Sequence, residues 1–518
     1  MGSAHLQIPD YLIIAAFLLM TVYFGLRFAR KQNSTQEYFA ANGKIPSWAI
    51  GFSILSTLIS SVTFLAYPGE GYTSNWILLV QGLMVPIVLI SMIWFIVPLY
   101  RRVIGLSTYE YFEKRFGLFA RYYSSLGFVL THFSKMGTVF FLLALALSNM
   151  TGVNTLVIIA IIGVVIIILA LLGGIEAVIW LDVIQGFMLF GCGVACLVFI
   201  LYSVKGGPAE VWHIAKANHH TGFGPYTLNL TKLTFIVMAL NGLFYGVQKY
   251  GTDQTIVQRY LTAKTDKSAI RASLMGVFLL VPVWALFMFI GTALFVYYRQ
   301  NPLPAGIRAD AIFPHFIVSN LPTGVVGLII ASLVSAGVCS LGADLNCLAA
   351  VGVQDYYKRF YPHASDAASL RVGRWIVLFA GIASLLIAAL YLTAGEGGVL
   401  DIVFTLYAIF SGGIAGIFLL GLFSSRANKQ GVTIGIIACI LFTAWAFLTS
   451  TKIGIGKEKY ILLDLGIYNF KQNKLMLGVY SHLVVIVVGY IASLFFPKPN
   501  ISKKLLYSGW RETKKEVD

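Results

Sequence analysis

The chain is built from apolar runs long enough to cross a bilayer, set almost end to end with short polar breaks between them. A membrane helix needs roughly 20 mostly apolar residues. Such runs cover residues 8–28, 46–72, 76–100, 118–150, 153–172, 177–203, 232–250, 268–297, 323–353, 370–393, 398–421, 430–450 and 475–497. Lipid offers backbone groups no hydrogen-bond partner, so each run must close its own bonds as a helix. Composition excludes a soluble globule: 58% of the 518 residues are hydrophobic and 11% charged, against about 25% charged in a soluble domain. The prediction is an all-α polytopic membrane protein with about thirteen transmembrane helices. The first run starts near Met1 but is too long for a signal peptide and lacks a small-residue cleavage site, so a retained helix is expected.

The net charge of +16 raises nucleic acid as a partner, and its distribution argues against that. When the runs are threaded alternately, 26 of the 37 Lys and Arg fall in one set of loops and 10 in the other, with Lys135 inside a run. The richer side is cytoplasmic by the positive-inside rule. This places the N-terminus outside and the C-terminus inside, and fits an odd number of spans. The basic excess therefore reports topology, with a tail able to touch anionic lipid, and no nucleic-acid partner is expected. Cys192, Cys196, Cys339, Cys347 and Cys439 all fall in apolar runs, without zinc-site spacing or a disulfide framework.

Short loops imply one membrane domain across 1–518. It divides into a leading helix (8–28), a first repeat (46–203), a second repeat (232–421), trailing helices (430–497) and a basic cytoplasmic tail (498–518). Two runs carry helix breakers five spans apart. The 46–72 run ends in Tyr67-Pro68-Gly69-Glu70-Gly71, and the 232–250 run contains Asn241-Gly242 and Tyr245-Gly246. Interrupted helices in corresponding places of two halves point to an inverted-repeat transporter with its site at the breaks. The competing reading is that Gly and Pro are simply common in membrane helices. Long external connections near 204–231, 298–322 and 451–474 are candidates to cap an outer vestibule.

Charges at bilayer depth cost several kcal/mol and need a reason. Asp182 opens the 177–203 run, either as a cytoplasmic cap or as a carboxylate on a cation path. Asp344 lies four residues after Ser340 and so on the same helix face. A hydroxyl and a carboxylate pointing one way suit a hard cation, or a structural bond to a neighbouring helix. Lys135 is more than about 20 Å from either end of its helix at 1.5 Å per residue, too deep to reach a membrane surface. It is either a counter-charge for an anionic substrate or the partner of an intramembrane Asp.

Four segments then resemble the sodium/solute symporter family, which includes sodium/glucose, proline, pantothenate, iodide and sialic acid transporters. They are Glu37-Tyr38-Phe39-Ala40-Ala41-Asn42-Gly43-Lys44, Tyr109-Glu110-Tyr111-Phe112-Glu113-Lys114-Arg115-Phe116, Gly173 to Asp182 continued by Val183-Ile184-Gln185, and Thr252-Asp253-Gln254-Thr255-Ile256-Val257-Gln258-Arg259. All four fall on loops read as cytoplasmic, in family order, and the likeness covers roughly residues 10–497. The resemblance implies a five-plus-five inverted repeat with one leading and two trailing helices. It also implies a sodium site made of the carbonyls of Ser56, Ile59 and Ala336 with the side chains of Cys339 and Ser340. The family usually has a hydroxyl where this chain has Cys339, and a thiol is a poor ligand for a hard cation. A second cation site in some members uses the carboxylate matching Asp182 with hydroxyls that are here Gly342 and Ala343. That site is incomplete unless Asp344 restores an oxygen. Sodium remains the expected coupling ion, with protons as the alternative.

The run from Ser60 to Gly69 resembles the sialic acid branch more than the glucose branch. In that branch hydroxyls matching Ser60 and Thr63 hold a substrate carboxylate, helped by an arginine at the place of Lys135. Lysine keeps the charge but loses the bidentate fork. Gln81 is a further polar candidate from the adjacent helix. The resemblance thus implies sodium-coupled import of a carboxylate-bearing sugar such as sialic acid, or another organic anion, across the plasma membrane. A neutral sugar would leave Lys135 in need of an internal acid partner. No cofactor is expected beyond sodium as coupling ion, and the chain is expected to be a monomer. Rival classes lack support. An intramembrane enzyme would need a catalytic constellation where only His132 stands near Lys135, a channel would show filter loops or charge rings, and a receptor would need a signalling module.

Overall fold

The computed structural model describes residues 6–29, 34–304, 306–393, 409–453 and 460–510. Apart from a two-residue ribbon pairing Lys452–Ile453 with Tyr460–Ile461, regular structure among these residues is helical. The principal helices are α1 (Ile8–Ala29), α2 (Ser47–Leu58), α3 (Ser61–Thr73), α4 (Ile77–Pro98), α5 (Leu118–Thr151), α6 (Thr155–Ser203), α7 (Phe235–Gly251), α8 (Gln254–Leu261), α9 (Asp266–Gln300), α10 (Val325–Val351), α11 (Asp366–Thr393), α12 (Ile414–Phe423), α13 (Lys429–Ser450) and α14 (Lys474–Ser493). The start of the expected 398–421 span, 398–408, lies outside the described residues, as do 511–518 of the tail.

Polar caps close helix ends that the surroundings would otherwise leave unpaired. Thr234 accepts from the Val237 amide at α7, Thr265 from Ser268 at α9, and Asn428 from Gly431 at α13. The expected runs 153–172 and 177–203 form two helices, labelled together α6, that meet at a kink at Gly174 with φ of 55° and ψ of −173°. That conformation is open to glycine alone.

Among the described residues one broken span is found, and its break lies elsewhere than the Pro/Gly run suggests. It is at Ile59–Ser60, where extended backbone separates α2 from α3 and the two halves bend by 57°. Pro68 to Gly71 sits inside the unbroken α3. The interruption expected within 232–250 is not seen: α7 runs continuously through Asn241 and Gly246 to Gly251, and Thr252–Asp253 joins it to the short α8. The breakers do another job: they let helices touch. A Cβ on Gly71 would lie 2.2 Å from the Met288 carbonyl oxygen of α9, and one on Gly242 2.9 Å from the Gln81 Cα of α4. Membrane helices gain much of their association from such close backbone approach.

The α2–α3 pair packs on α9, α7 on α4, and α11 on α5, while α13 pairs with α14 at the end of the chain. α10 runs through the middle, against α6, α5 and both halves of the broken helix. Every residue from Val326 to Val351 except Leu328 is buried. The connection 204–231 carries a helix, Gly207–Ala217, and its Gly222 carbonyl accepts from the Trp76 amide at the α3–α4 turn. All five cysteines are buried and free.

Candidate functional site

A cavity of about 160 Å³ lies where the break faces α4, α5, α7 and α9. Ser60 is the cap of α3, its Oγ accepting from the Val62 amide at 3.3 Å, which leaves its own hydroxyl proton free to donate inward. Thr63 stands one turn on. Thr131, Ser134 and Lys135 share one face of α5, spaced three and four residues apart as the helix repeat requires. Gln81 enters from α4, while Asn241, Tyr245 and Gln248 line the wall from α7 and Trp284 from α9. The four expected substrate residues, Ser60, Thr63, Gln81 and Lys135, thus border one cavity. Of the α7 and α9 residues, Asn241 and Tyr245 belong to the Gly-containing pairs that pointed to a site in the 232–250 run, while Gln248 and Trp284 carried no sequence signal beyond membership of apolar runs.

The Lys135 ammonium lies 2.9 Å from Asp344 Oδ2 and 3.0 Å from Oδ1. Asp344 is fully buried, whereas the lysine side chain keeps 23% of its surface open, so the cation faces both its partner and the cavity. The sequence left open whether Lys135 serves a substrate or an intramembrane Asp, and the geometry allows both in turn. A second pair stands nearby, its lysine also bordering the cavity: Lys249 Nζ is 2.7 Å from Asp253 Oδ2, both side chains buried. His132 Nε2 stands 3.7 Å from an oxygen of each aspartate. Sequence reasoning placed Lys249 among cytoplasmic loop charges and His132 among packed residues. The signal available was the i, i+4 spacing of Lys249 and Asp253 across the α7–α8 junction.

Of the expected sodium ligands, Ser56 and Ile59 lie at the break, and Ala336, Cys339 and Ser340 lie on α10, which packs against both halves of the broken helix. Ser56, Ile59, Ala336, Cys339 and Ser340 are all buried, and the extended backbone at Ile59–Ser60 takes the last carbonyls of α2 out of helical register. Ser340 Oγ is buried without a hydrogen-bond partner, a costly state for a hydroxyl and a reason to expect a ligand there. Ser56 Oγ donates to the Asp182 carbonyl at 2.7 Å, and the Ser56 carbonyl, the candidate ligand, accepts a 3.3 Å bond from the Ile59 amide that leaves its second lone pair open. Cys339 turns its thiol to the Gln185 side-chain oxygen.

The two carboxylates expected at a second cation site, Asp182 and Asp344, each meet a protein cation, although Asp182 keeps its Oδ1 buried without a hydrogen-bond partner beside Cys339 and Gly342. Asp182 Oδ2 accepts from the Arg259 guanidinium at 2.9 Å and from Ser53, both residues fully buried, while Asp344 is held by Lys135. Each carboxylate already has a protein cation of its own. Among the described residues no cluster of three or more His, Cys, Asp or Glu could hold a metal.

Comparison with known proteins agrees with this architecture. The profile of the sodium:solute symporter family matches residues 38–439. The chain is 33% identical over 490 residues to the sodium/sialic acid symporter NanT of Aliivibrio fischeri, covering 94% of this chain and 93% of that one. It is 32% identical to the sodium/sialic acid symporter SiaT of Proteus mirabilis, covering 95% and 96%. The substrate-bound, outward-open structure of a Na+-coupled sialic acid symporter superposes with a TM-score of 0.87 at 30% identity, over 96% of this chain and 100% of that one. A closed structure of the nucleobase-cation symporter Mhp1, at a TM-score of 0.59 and 16% identity over 91% and 97%, shares the fold. The broken-helix bundle, the cavity at its break and these full-length likenesses agree: the chain is a multi-pass membrane transporter belonging to the sodium:solute symporter family.

Proposed function

We propose that this chain imports sialic acid, or a carboxylate-bearing sugar much like it, in symport with sodium by alternating access. The observation that carries the reading is the convergence of the Lys135 ammonium, the Ser60 and Thr63 hydroxyls and the Gln81 amide on one cavity. The N-terminus of α3 opens there too, and its dipole favours a negative charge. On this reading a substrate carboxylate accepts from Ser60 and Thr63 and faces Lys135, while Gln81 meets the sugar's hydroxyls. Full-length relatives that are sialic acid symporters support the same class. Sodium is held by the carbonyls of Ser56, Ile59 and Ala336 with the Ser340 hydroxyl, the oxygen set a hard cation prefers. Cys339 stands beside that set as its weak member. The chain works as a monomer in the plasma membrane, N-terminus outside and C-terminus cytoplasmic, without nucleic acid.

One observation favours a second reading. Asp344 supplies the internal acid that Lys135 would need if the substrate were neutral. Uptake of labelled sialic acid into proteoliposomes, with and without an inward sodium gradient, decides between them. Sodium-driven uptake that falls at least about tenfold in Lys135→Ala, the loss of about 1.4 kcal/mol or more expected for a charge-assisted bond, supports the carboxylate reading. Competition by a neutral hexose, with sialic acid inert, would reject it.

A further inference from the structure

We infer that His132 is a proton-binding site linked to substrate binding, so that the substrate's carboxylate enters together with a proton. The inference rests on the carboxylate reading of Lys135 above, and its geometry is independent of the relatives. His132 Nδ1 lies 2.9 Å from the Phe128 carbonyl oxygen. A carbonyl only accepts, so the ring hydrogen is on Nδ1 and the neutral ring presents a lone pair at Nε2. That nitrogen is buried and has no hydrogen-bond partner. What faces it are two carboxylate oxygens, Asp253 Oδ2 and Asp344 Oδ1, each at 3.7 Å. Acceptors facing an acceptor repel; the same arrangement around an Nε2–H cation attracts. The Phe128 ring closes the site with its centroid 3.9 Å away.

Charge balance explains why the ring can remain neutral until substrate arrives. Lys249 matches Asp253 at 2.7 Å and Lys135 matches Asp344 at 2.9 Å, so the four groups cancel. The remaining titratable neighbours of these pairs are Tyr109, Tyr245, Tyr260 and Cys347. When a substrate carboxylate draws the Lys135 ammonium into the cavity, Asp344 is left as a buried, unmatched anion. A proton from solvent added to His132 Nε2 restores the balance: one bond forms there, Nδ1–H stays on Phe128, and no other group changes state. The cluster is neutral before and after, with substrate and proton added.

The test is calorimetric titration of sialic acid into the purified protein at saturating sodium, repeated in two buffers of different ionisation enthalpy. The expected result is uptake of a substantial fraction of one proton per substrate, with affinity falling by up to about tenfold per pH unit on the alkaline side. His132→Gln should still bind sialic acid but lose both effects. Asp344→Asn, which strands no carboxylate, should bind at least as tightly and also lose them. Binding heat independent of buffer in the parent, or uptake that survives in His132→Gln, would overturn the inference while leaving the substrate reading intact. Absence of any binding heat in the parent would overturn the substrate reading and this inference together.

Discussion

The Arg259–Asp182 pair offers the most direct measurement of how this bundle manages charge. Both side chains are fully buried. Arg259 donates from Nε to Ser53 Oγ at 2.8 Å, from Nη1 to the Thr255 carbonyl at 2.6 Å and from Nη2 to Asp182 Oδ2 at 2.9 Å. That N–O distance puts the charge centres about 4 Å apart, where an effective dielectric of 20 gives an attraction of about 4 kcal/mol. Removing either partner alone strands the other in the interior at a cost of about 3–5 kcal/mol. Removing both leaves only neutral amides to satisfy. The parent, Arg259→Gln, Asp182→Asn and the double variant should be compared by denaturant unfolding in lipid–detergent micelles. The double variant should recover about 2–4 kcal/mol relative to the sum of the singles. Additivity within about 0.5 kcal/mol would refute the pair as a coupled unit and return Asp182 to the role of an independent cation ligand.

Three further outcomes are expected. Gly291→Ala places a methyl 2.1 Å from the Pro68 carbonyl oxygen of α3 and should cost about 1–3 kcal/mol by overpacking; Gly191→Ala, with nothing within 4 Å, is the silent control in the same thermal-unfolding assay. Ser340→Ala should raise the sodium concentration for half-maximal uptake several-fold with little change in folding, since it deletes an oxygen that has no protein partner; unchanged sodium dependence would remove Ser340 from the site. Burial of Glu113 opposes its ionisation, but bonds and charge from Arg121 and Arg359 win and hold its carboxyl below the usual value. Its contribution is therefore present above the unfolded carboxylate range and lost as pH falls through the lower folded value, so Glu113→Gln should flatten the acid limb of a stability–pH curve.

Much of the protein is written in its sequence because the bilayer imposes a local rule: backbone groups in lipid must pair within their own segment, so run length reports helices directly. The all-helical membrane fold, the interruption of the 46–72 run and the family follow from that rule and four cytoplasmic motifs. Only the tertiary structure decided where the helices break. Pro68 and Gly242 break helices in isolation, but packed against α9 and α4 they serve as contact points, while Ile59–Ser60 opens instead. The charged interior was equally hidden. Lys249 and His132 looked like a loop cation and a packing residue, because pairing among buried charges depends on which helix faces which. Those facings arise from contacts between residues hundreds of positions apart, such as Lys135 with Asp344, which no local pattern encodes.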